Sequence, residues 1–476
     1  MLTLSRRPVR AGTAVLSCAL ALAACSSGSS GSGSKAKANN NVSPLSYHGC
    51  SEVACTGELG GAAYKIEMPA KWNGTLLLWS HGYRTAISTP PDFGPVDTKA
   101  DDSPSTGSAQ TLLSQGYALA GSAYAKNGWA VQDGVKAGEE LRAFFTSKIG
   151  TPRRTYVWGA SLGGLITELI SEKHPEWVSG AAPECGAVAG TTENLDGALA
   201  IAYMVKTLID PGLKITGYAS PEEAVAAFQR AQAAIIKAAK DVAGGGTAKV
   251  VAITTIGHLA KQTLTYDGHD AVSGVSAKAE DIITAMGFAT FGQQEFATRV
   301  GGQGLDITGV DFGAAVTDDD RQTVKTYGGN LDAILATLSA GARPEVDSAA
   351  RIQAIAQGET TGKVTHPTVT LHDEQDPLVI PQNERVLGDR FFAAGNTSHL
   401  TQLFTKPPAT YAAPAPYGAG HCNFTDTEQI GLVSALDAWV RTGVRTTTDS
   451  AAKLFAAPTG LDVAYYPLGF PLQKKK

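Results

Sequence analysis

Arg154-Thr155-Tyr156-Val157-Trp158-Gly159-Ala160-Ser161-Leu162-Gly163-Gly164-Leu165 is the stretch from which the architecture unfolds. Arg154 to Trp158 is a short run rich in β-branched and aromatic residues, the composition of a strand. Leu162 to His174 reads as a helix, stopped by Pro175. Between them the chain must turn sharply at Gly159-Ala160-Ser161-Leu162-Gly163. Glycine two positions either side of Ser161 permits close backbone approach, and the turn holds Ser161 in a strained conformation. Its hydroxyl then projects above the strand end, with a helix N-terminus beneath that favours negative charge. The string Gly-x-Ser-x-Gly arises easily by chance in a chain with 53 glycines. Its place between a strand and a helix gives it meaning.

The same alternation continues outward. Ala63 to Met68 alternates apolar and polar residues and reads as a strand. Thr75 to Ser80 (TLLLWS) and Tyr117 to Tyr124 are short apolar runs, as expected of strands buried on both faces. Val131 to Lys148 carries Val135, Leu141, Phe144 and Phe145 near helical spacing, and Val178 to Pro183 is a further strand. Short strands separated by helices predict a mostly parallel, twisted α/β sheet built from right-handed crossovers.

From about Ala187 to Lys363 helical patterns dominate. Ser220-Pro221-Glu222-Glu223 predicts a capping box with proline at the first helical position. Further helices are expected near Ala279 to Met286 and Leu331 to Leu338. The sheet pattern resumes at Pro367 to Leu371, followed by a helix Asn383–Phe392, a strand near His399 to Phe404 and a last helix Thr427–Val440. Residues 187–363 therefore read as one helical insertion between a first core segment, 46–186, and a second, 364–476.

Residues 1–24 read as an address. Arg6, Arg7 and Arg10 precede an uncharged apolar run, Ala11 to Ala24, too short to span a bilayer. Leu22-Ala23-Ala24-Cys25 is similar to the bacterial lipobox, so Cys25 is the expected lipidation site and residues 25–45 a flexible tether. The expected location is extracytoplasmic, with the chain lipid-anchored to the bacterial cell membrane or secreted.

The formal charge is −5 and carries no long like-charge run, and 43% of residues are hydrophobic. Cleavage after residue 24 removes three Arg and no acid, leaving −8. This composition excludes a disordered or collagen-like polymer and a basic nucleic-acid binder. Beyond Cys18 and Cys25 remain Cys50, Cys55, Cys185 and Cys422. An even count in an oxidising compartment favours two disulfides, with three pairings possible. Cys50 and Cys55 are close enough to close a small loop, which would leave Cys185 and Cys422 to each other. No Cys-x-x-Cys or His cluster accompanies them, so no metal is expected.

A serine hydroxyl needs a base to become a nucleophile. His421, in the loop Gly418-Ala419-Gly420-His421 after the last sheet elements, is the candidate. His174 beside Pro175 reads as structural, His258 and His269 lie in the insertion, and His372 ends a strand and is a possible neighbour. The supporting acid lies in Asp373-Glu374-Gln375-Asp376-Pro377-Leu378-Val379. Asp376 suits a loop turning back over the strand ends, and Asp373 and Glu374 are the alternatives. Removing the 177-residue insertion from the 215 residues between Ser161 and Asp376 leaves 38, about one helix–strand unit plus a strand. The backbone N–H groups of Leu162 and, after His81-Gly82, of Tyr83 are the candidate oxyanion donors.

Together these residues resemble the α/β-hydrolase superfamily, over about residues 60 to 445 apart from the insertion, in the chain order Ser161, Asp376, His421. WNGTLLLWSHGY (Trp72–Tyr83), GASLGG (Gly159–Gly164), DPLV and GHCNFT (Gly420–Thr425) are similar to secreted bacterial hydrolases. The resemblance implies that the insertion, after the sixth strand, is a helical cap over the site. His421-Cys422 is also similar to tannase and feruloyl esterases, in which cysteines beside Ser and His form a disulfide. Here Ala160 precedes the serine, and Cys185 is the residue available to tether the His loop. The implied activity is hydrolysis of carboxylic esters without a cofactor, with a small-molecule or polymeric ester as partner and no nucleic acid. Tyr203, Met204, Met286, Phe288 and Phe291 are candidate pocket residues or cap core. The alternatives are a serine peptidase or aminopeptidase, for which Asp318-Asp319-Asp320 is a weak ionic anchor or a solvated loop, and a non-catalytic lipid-anchored binding protein.

Overall fold

A computed structural model describes residues 54–90, 94–259, 271–406, 420–455 and 460–472. Residues 1–53, with the expected signal, Cys25, the tether and Cys50, lie outside the described residues, as does His269.

Eight strands form one sheet: β1 (Ala54–Leu59), β2 (Ala62–Glu67), β3 (Thr75–Ser80), β4 (Ala118–Ser122), β5 (Arg154–Ala160), β6 (Gly180–Glu184), β7 (Thr368–Asp373) and β8 (Leu400–Thr405). Their order is β1-β2-β4-β3-β5-β6-β7-β8; β1 and β2 are antiparallel and β4 to β8 parallel. This is the α/β-hydrolase fold. β3 is buried at every position, while β2 alternates buried and half-buried residues. Leu76 and Leu78 join one side-chain cluster and Leu77 and Trp79 the other, as the two-residue period of a strand requires. Trp79 and Trp158, register partners on β3 and β5, meet edge-to-face at 4.7 Å. Burying a side chain such as Leu77 contributes about 1.5–3 kcal/mol.

The flanking helices are α1 (Thr106–Ser114), α2 (Val131–Lys148) and α3 (Leu162–Lys173). Between β6 and β7 come α4 (Thr191–Leu208), α5 (Pro221–Lys240), α6 (Gly246–Gly257), α7 (Ala271–Gly287), α8 (Gln293–Val300), α9 (Asp318–Thr326), α10 (Leu331–Ala340) and α11 (Ser348–Ala356), with a π turn at Phe288–Gly292. After β7 follow α12 (Gln382–Ala393), α13 (Asp426–Thr442) and α14 (Thr448–Ala452). The helix expected to be last is thus followed by one more. β1 and α1 were not anticipated. β1 is an edge strand (ACTGEL) whose middle residues Thr56, Gly57 and Glu58 are exposed, and its sequence shows no clear apolar–polar pattern.

The insertion shares its core with the sheet. A single cluster runs from Leu76, Leu78 and Val157 through α3 to Leu199, Met204, Phe228, Ile253 and Met286. At α5 the expected capping box is only half formed. Ser220 Oγ accepts from the Glu223 N–H, but the Glu223 carboxylate accepts from the Ala219 N–H and pairs with Lys214. Complete boxes form at Thr317/Asp320 and Thr425/Glu428 instead. Asp318 to Asp320 are accordingly the first turn of α9 rather than a loop, where acids favour the helix dipole.

One buried acid makes stability depend on pH. Glu184, at the end of β6, is fully buried, and its carboxylate accepts only from Gln429 Nε2, at 3.1 Å. Burial pushes its pKa up to about 8. Between the ordinary carboxylate value and pH 8 the folded protein holds a proton that the unfolded chain releases, so stability falls as pH rises through this window. Glu184→Gln removes that slope. Denaturant unfolding at pH 5 and pH 8 should show the variant gaining on the wild type at the higher pH, by on the order of a few kcal/mol; equal differences at both pH values would refute the assignment.

Candidate functional site

The chain order reverses around β3, which carries β4 on one side and β5 on the other, so the loops after β3 and β5 open a crevice at the sheet's carboxyl edge. Ser161 stands there with φ 60° and ψ −122°. Its N–H donates to the Glu184 carbonyl at 3.0 Å, and its carbonyl accepts from the N–H groups of Gly164 and Ala187. The glycines are required by close approach. A Cβ on Gly163 would lie 1.9 Å from the Ser80 carbonyl oxygen, and one on Gly159 2.5 Å from it.

His421 reaches Ser161 from the loop before α13. The Ser161 hydroxyl is 2.8 Å from His421 Nε2, and His421 Nδ1 is 2.7 Å from Asp376 Oδ2. With the proton on Nδ1, the hydroxyl donates to Nε2 and Nδ1–H donates to the carboxylate. The other Asp376 oxygen accepts from the N–H groups of Leu378 and Val379 at 2.9 and 3.0 Å, which fixes the carboxylate plane. Asp373 and Glu374 stand elsewhere. Asp373 accepts from the Gln375 N–H and from Thr405, and burial pushes its pKa to about 7.

Behind Asp376 lies a second tier. His372, fully buried on β7, has Nε2 2.7 Å from the Val379 carbonyl and Nδ1 3.4 Å from Glu384. Burial opposes its charged form, yet the hydrogen bond and charge of Glu384 hold its pKa above the ordinary value. Glu384 also accepts from Thr370 and Gln402. His372 is thus a brace for the Asp376 loop. His174 is bonded to Glu139 and Glu176 at the end of α3.

The segments carrying the two candidate donors lie next to Ser161. Leu162 opens α3, and Gly82 lies so close that a Cβ there would sit 3.2 Å from Ser161 Cβ. Among the described residues neither the Leu162 nor the Tyr83 N–H has an acceptor. His81 stacks on Tyr124 with ring centroids 3.8 Å apart, and the Tyr124 hydroxyl donates to the His81 carbonyl. Burial lowers the His81 pKa to about 3, so it is neutral.

Cys185 and Cys422 form a disulfide, with Cα atoms 5.4 Å apart. It ties the residue after Glu184 to the residue after His421. Both cysteines have positive φ, 40° and 52°. The Cys422 sulfur is 3.4 Å from His421 Nε2, and because the two sulfurs are bonded to each other this group is no metal site. Cys55 is disulfide-bonded as well.

Beside Ser161 opens a cavity of about 90 Å³, lined by Tyr83, Trp129, α4, Ala285, Phe288, the Pro377–Ile380 loop and Phe470–Leu472. Of the five candidate pocket residues only Phe288 lines it. Tyr203, Met204, Met286 and Phe291 are buried in the insertion's core, Tyr203 against Phe312 and Phe291 against Phe228. The contribution of Phe470–Leu472 had no sequence signal.

The disulfide closes a very long loop, so its removal should cost about 2–4 kcal/mol and free the His421 loop. The double variant Cys185→Ala, Cys422→Ala should show a lower Tm and weaker ordering of the His421 ring in NMR titration. Unchanged melting would refute a structural role.

No curated protein matches the sequence. Solved structures that resemble the fold include feruloyl esterase B from Aspergillus oryzae (13% identity, 82% of this chain and 81% of that one, TM-score 0.38). An esterase from Aspergillus oryzae matches at 13% identity over 82% and 80% of the two chains, TM-score 0.36. Proline iminopeptidase from Mycobacterium smegmatis matches at 12% over 82% and 97%, TM-score 0.34. The model of a tannase-like family of unknown function (DUF6351) matches residues 58–327, a span that includes Ser161 and Cys185 and stops before Asp376 and His421. With more than half of its length matched, the chain belongs to this tannase-like family.

Proposed function

We propose that the protein is a serine hydrolase that cleaves carboxylic esters by acyl transfer through Ser161. The observation that carries this reading is the continuous hydrogen-bonded chain from Ser161 Oγ through His421 to Asp376 at the mouth of an apolar cavity. His421 Nε2 takes the hydroxyl proton as Oγ attacks the acyl carbon, and Asp376 stabilises the imidazolium. The carbonyl oxygen, now an oxyanion, is held by the N–H groups of Leu162 and Tyr83, each worth about 100- to 1,000-fold in rate. Nε2–H then protonates the leaving alcohol. Water, deprotonated by His421, attacks the acyl-enzyme and releases acid and free Ser161.

The cavity supports an ester over a peptide. Among the described residues none of its lining side chains is charged, so it offers no ionic anchor for a peptide terminus. Asp318 to Asp320 lie on α9 and do not line it. In this reading the helices between β6 and β7 act as a cap that excludes water. The Leu22–Cys25 motif supports export and lipid attachment at Cys25 to the cell membrane. Among the described residues no helix is long and apolar enough to cross a membrane.

Ser161→Ala should keep the fold and lower ester turnover by about a thousandfold or more. Asp376→Asn should lower it strongly too, by favouring the wrong imidazole tautomer. A fluorophosphonate should label the wild type at Ser161 and leave Ser161→Ala unlabelled. Near-normal hydrolysis by Ser161→Ala would refute the mechanism.

A further inference from the structure

One wall of the cavity belongs to neither the sheet nor the insertion. Phe470, Pro471 and Leu472 come from the irregular stretch after α14. That stretch is fastened at several points. Leu461 bridges to Thr405 beside β8, and the Asp462 N–H donates to the Phe404 carbonyl at 2.8 Å. The Tyr465 ring packs on Phe404 at 4.9 Å, its hydroxyl donating to the Glu374 carbonyl, and Arg385 lies over the Tyr466 ring at 5.1 Å. The strand edge and the Asp376 loop together therefore carry this segment to the cavity.

At the cavity the segment is held more lightly. Phe470 is buried in a small cluster with Ala189 and Ile380, and Ile380 itself lines the cavity on the loop that carries Asp376. Leu472, only half-buried and at φ 59°, packs against the insertion's cluster. The opposite wall differs. Leu195 and Ile201 of α4 are fully integrated into the main core, where truncation costs folding energy and neighbours cannot refill the space. Phe470 lies outside that main core, in its small cluster, and Leu472 only borders it.

We propose that the C-terminal segment Gly460–Leu472 is the size determinant of the acyl pocket, with Phe470 as its principal wall. The substrate class is then an ester whose acyl part is uncharged, apolar and limited in bulk by Phe470. The inference rests on the reading of Ser161 as acyl acceptor and adds what selects the acyl group.

The test compares p-nitrophenyl esters from acetate to dodecanoate, beside ethyl and dodecyl fluorophosphonates, on the full chain and two variants. Phe470→Ala should raise the dodecanoate-to-butyrate ratio of kcat/KM about tenfold or more, and Phe470→Trp should lower it comparably. The dodecyl-to-ethyl ratio of labelling rates at Ser161 should move in the same directions. Each ratio is taken within one variant, so the fraction folded cancels. Ratios that stay constant in both variants, or that move together in one direction, overturn the wall while leaving Ser161 as nucleophile. Absence of any label on wild-type Ser161 overturns the acyl-transfer reading itself, and this inference with it.

Discussion

A serine backbone in the left-handed region is the constraint on which the rest of this molecule depends. Holding a non-glycine residue at φ 60° costs on the order of 1–3 kcal/mol. Here Ser161 is pinned from both sides, by the Glu184 carbonyl on its N–H and by the Gly164 and Ala187 N–H groups on its carbonyl. The first turn of α3 presses against the end of β3 so closely that Gly163 leaves no room for a methyl group. That pressure fixes the turn, and the Ser161 hydroxyl meets His421 Nε2 at 2.8 Å. The site is therefore an outcome of sheet packing.

Around this turn the protein buries titratable groups, Asp376 included. His81 is held neutral by burial, and Glu184 retains its proton up to about pH 8. The Asp376 carboxylate, by contrast, is satisfied by two backbone N–H groups and an imidazole. Its loop is braced by His372, which is itself held by Glu384. Buried polar networks hold a geometry when their members are partnered, as Asp376, His372 and Glu384 are. The disulfide adds a covalent link from Cys185, just after β6, to Cys422 beside His421. Three separate devices thus hold three distant side chains in register.

The helices between β6 and β7 are continuous in packing with the sheet, so the apolar cavity beside Ser161 has a rigid side and a lighter one. Most of the aromatic and Met residues of the insertion serve its own core. Tyr203 stacks on Phe312, with Arg343 over both rings, and Phe291 meets Phe228. At the start of the π turn Phe288 lines the cavity and packs on Tyr83, with ring centroids 4.9 Å apart.

What could be read from the chain alone was local. The all-apolar strand TLLLWS, the turn around Ser161 and the glycines that allow it are short-range consequences of sterics and side-chain period, as are most of the helices. The order of serine, acid and histidine narrowed the candidates, yet Asp373 ends β7 and Glu374 and Asp376 follow within three residues, so they differ chiefly in where the backbone points them. Which acid meets His421, the pairing of Cys185 with Cys422 and the place of His372 behind Asp376 depend on contacts between residues far apart in sequence. The edge strand β1 and the wall at Phe470 had no local signature, because an exposed edge needs no apolar alternation and an irregular segment has no period. Sequence determined the elements and the kind of chemistry they carry. Only the folded chain decided which groups meet, since convergence depends on how the sheet, the insertion and the C-terminal segment pack in three dimensions.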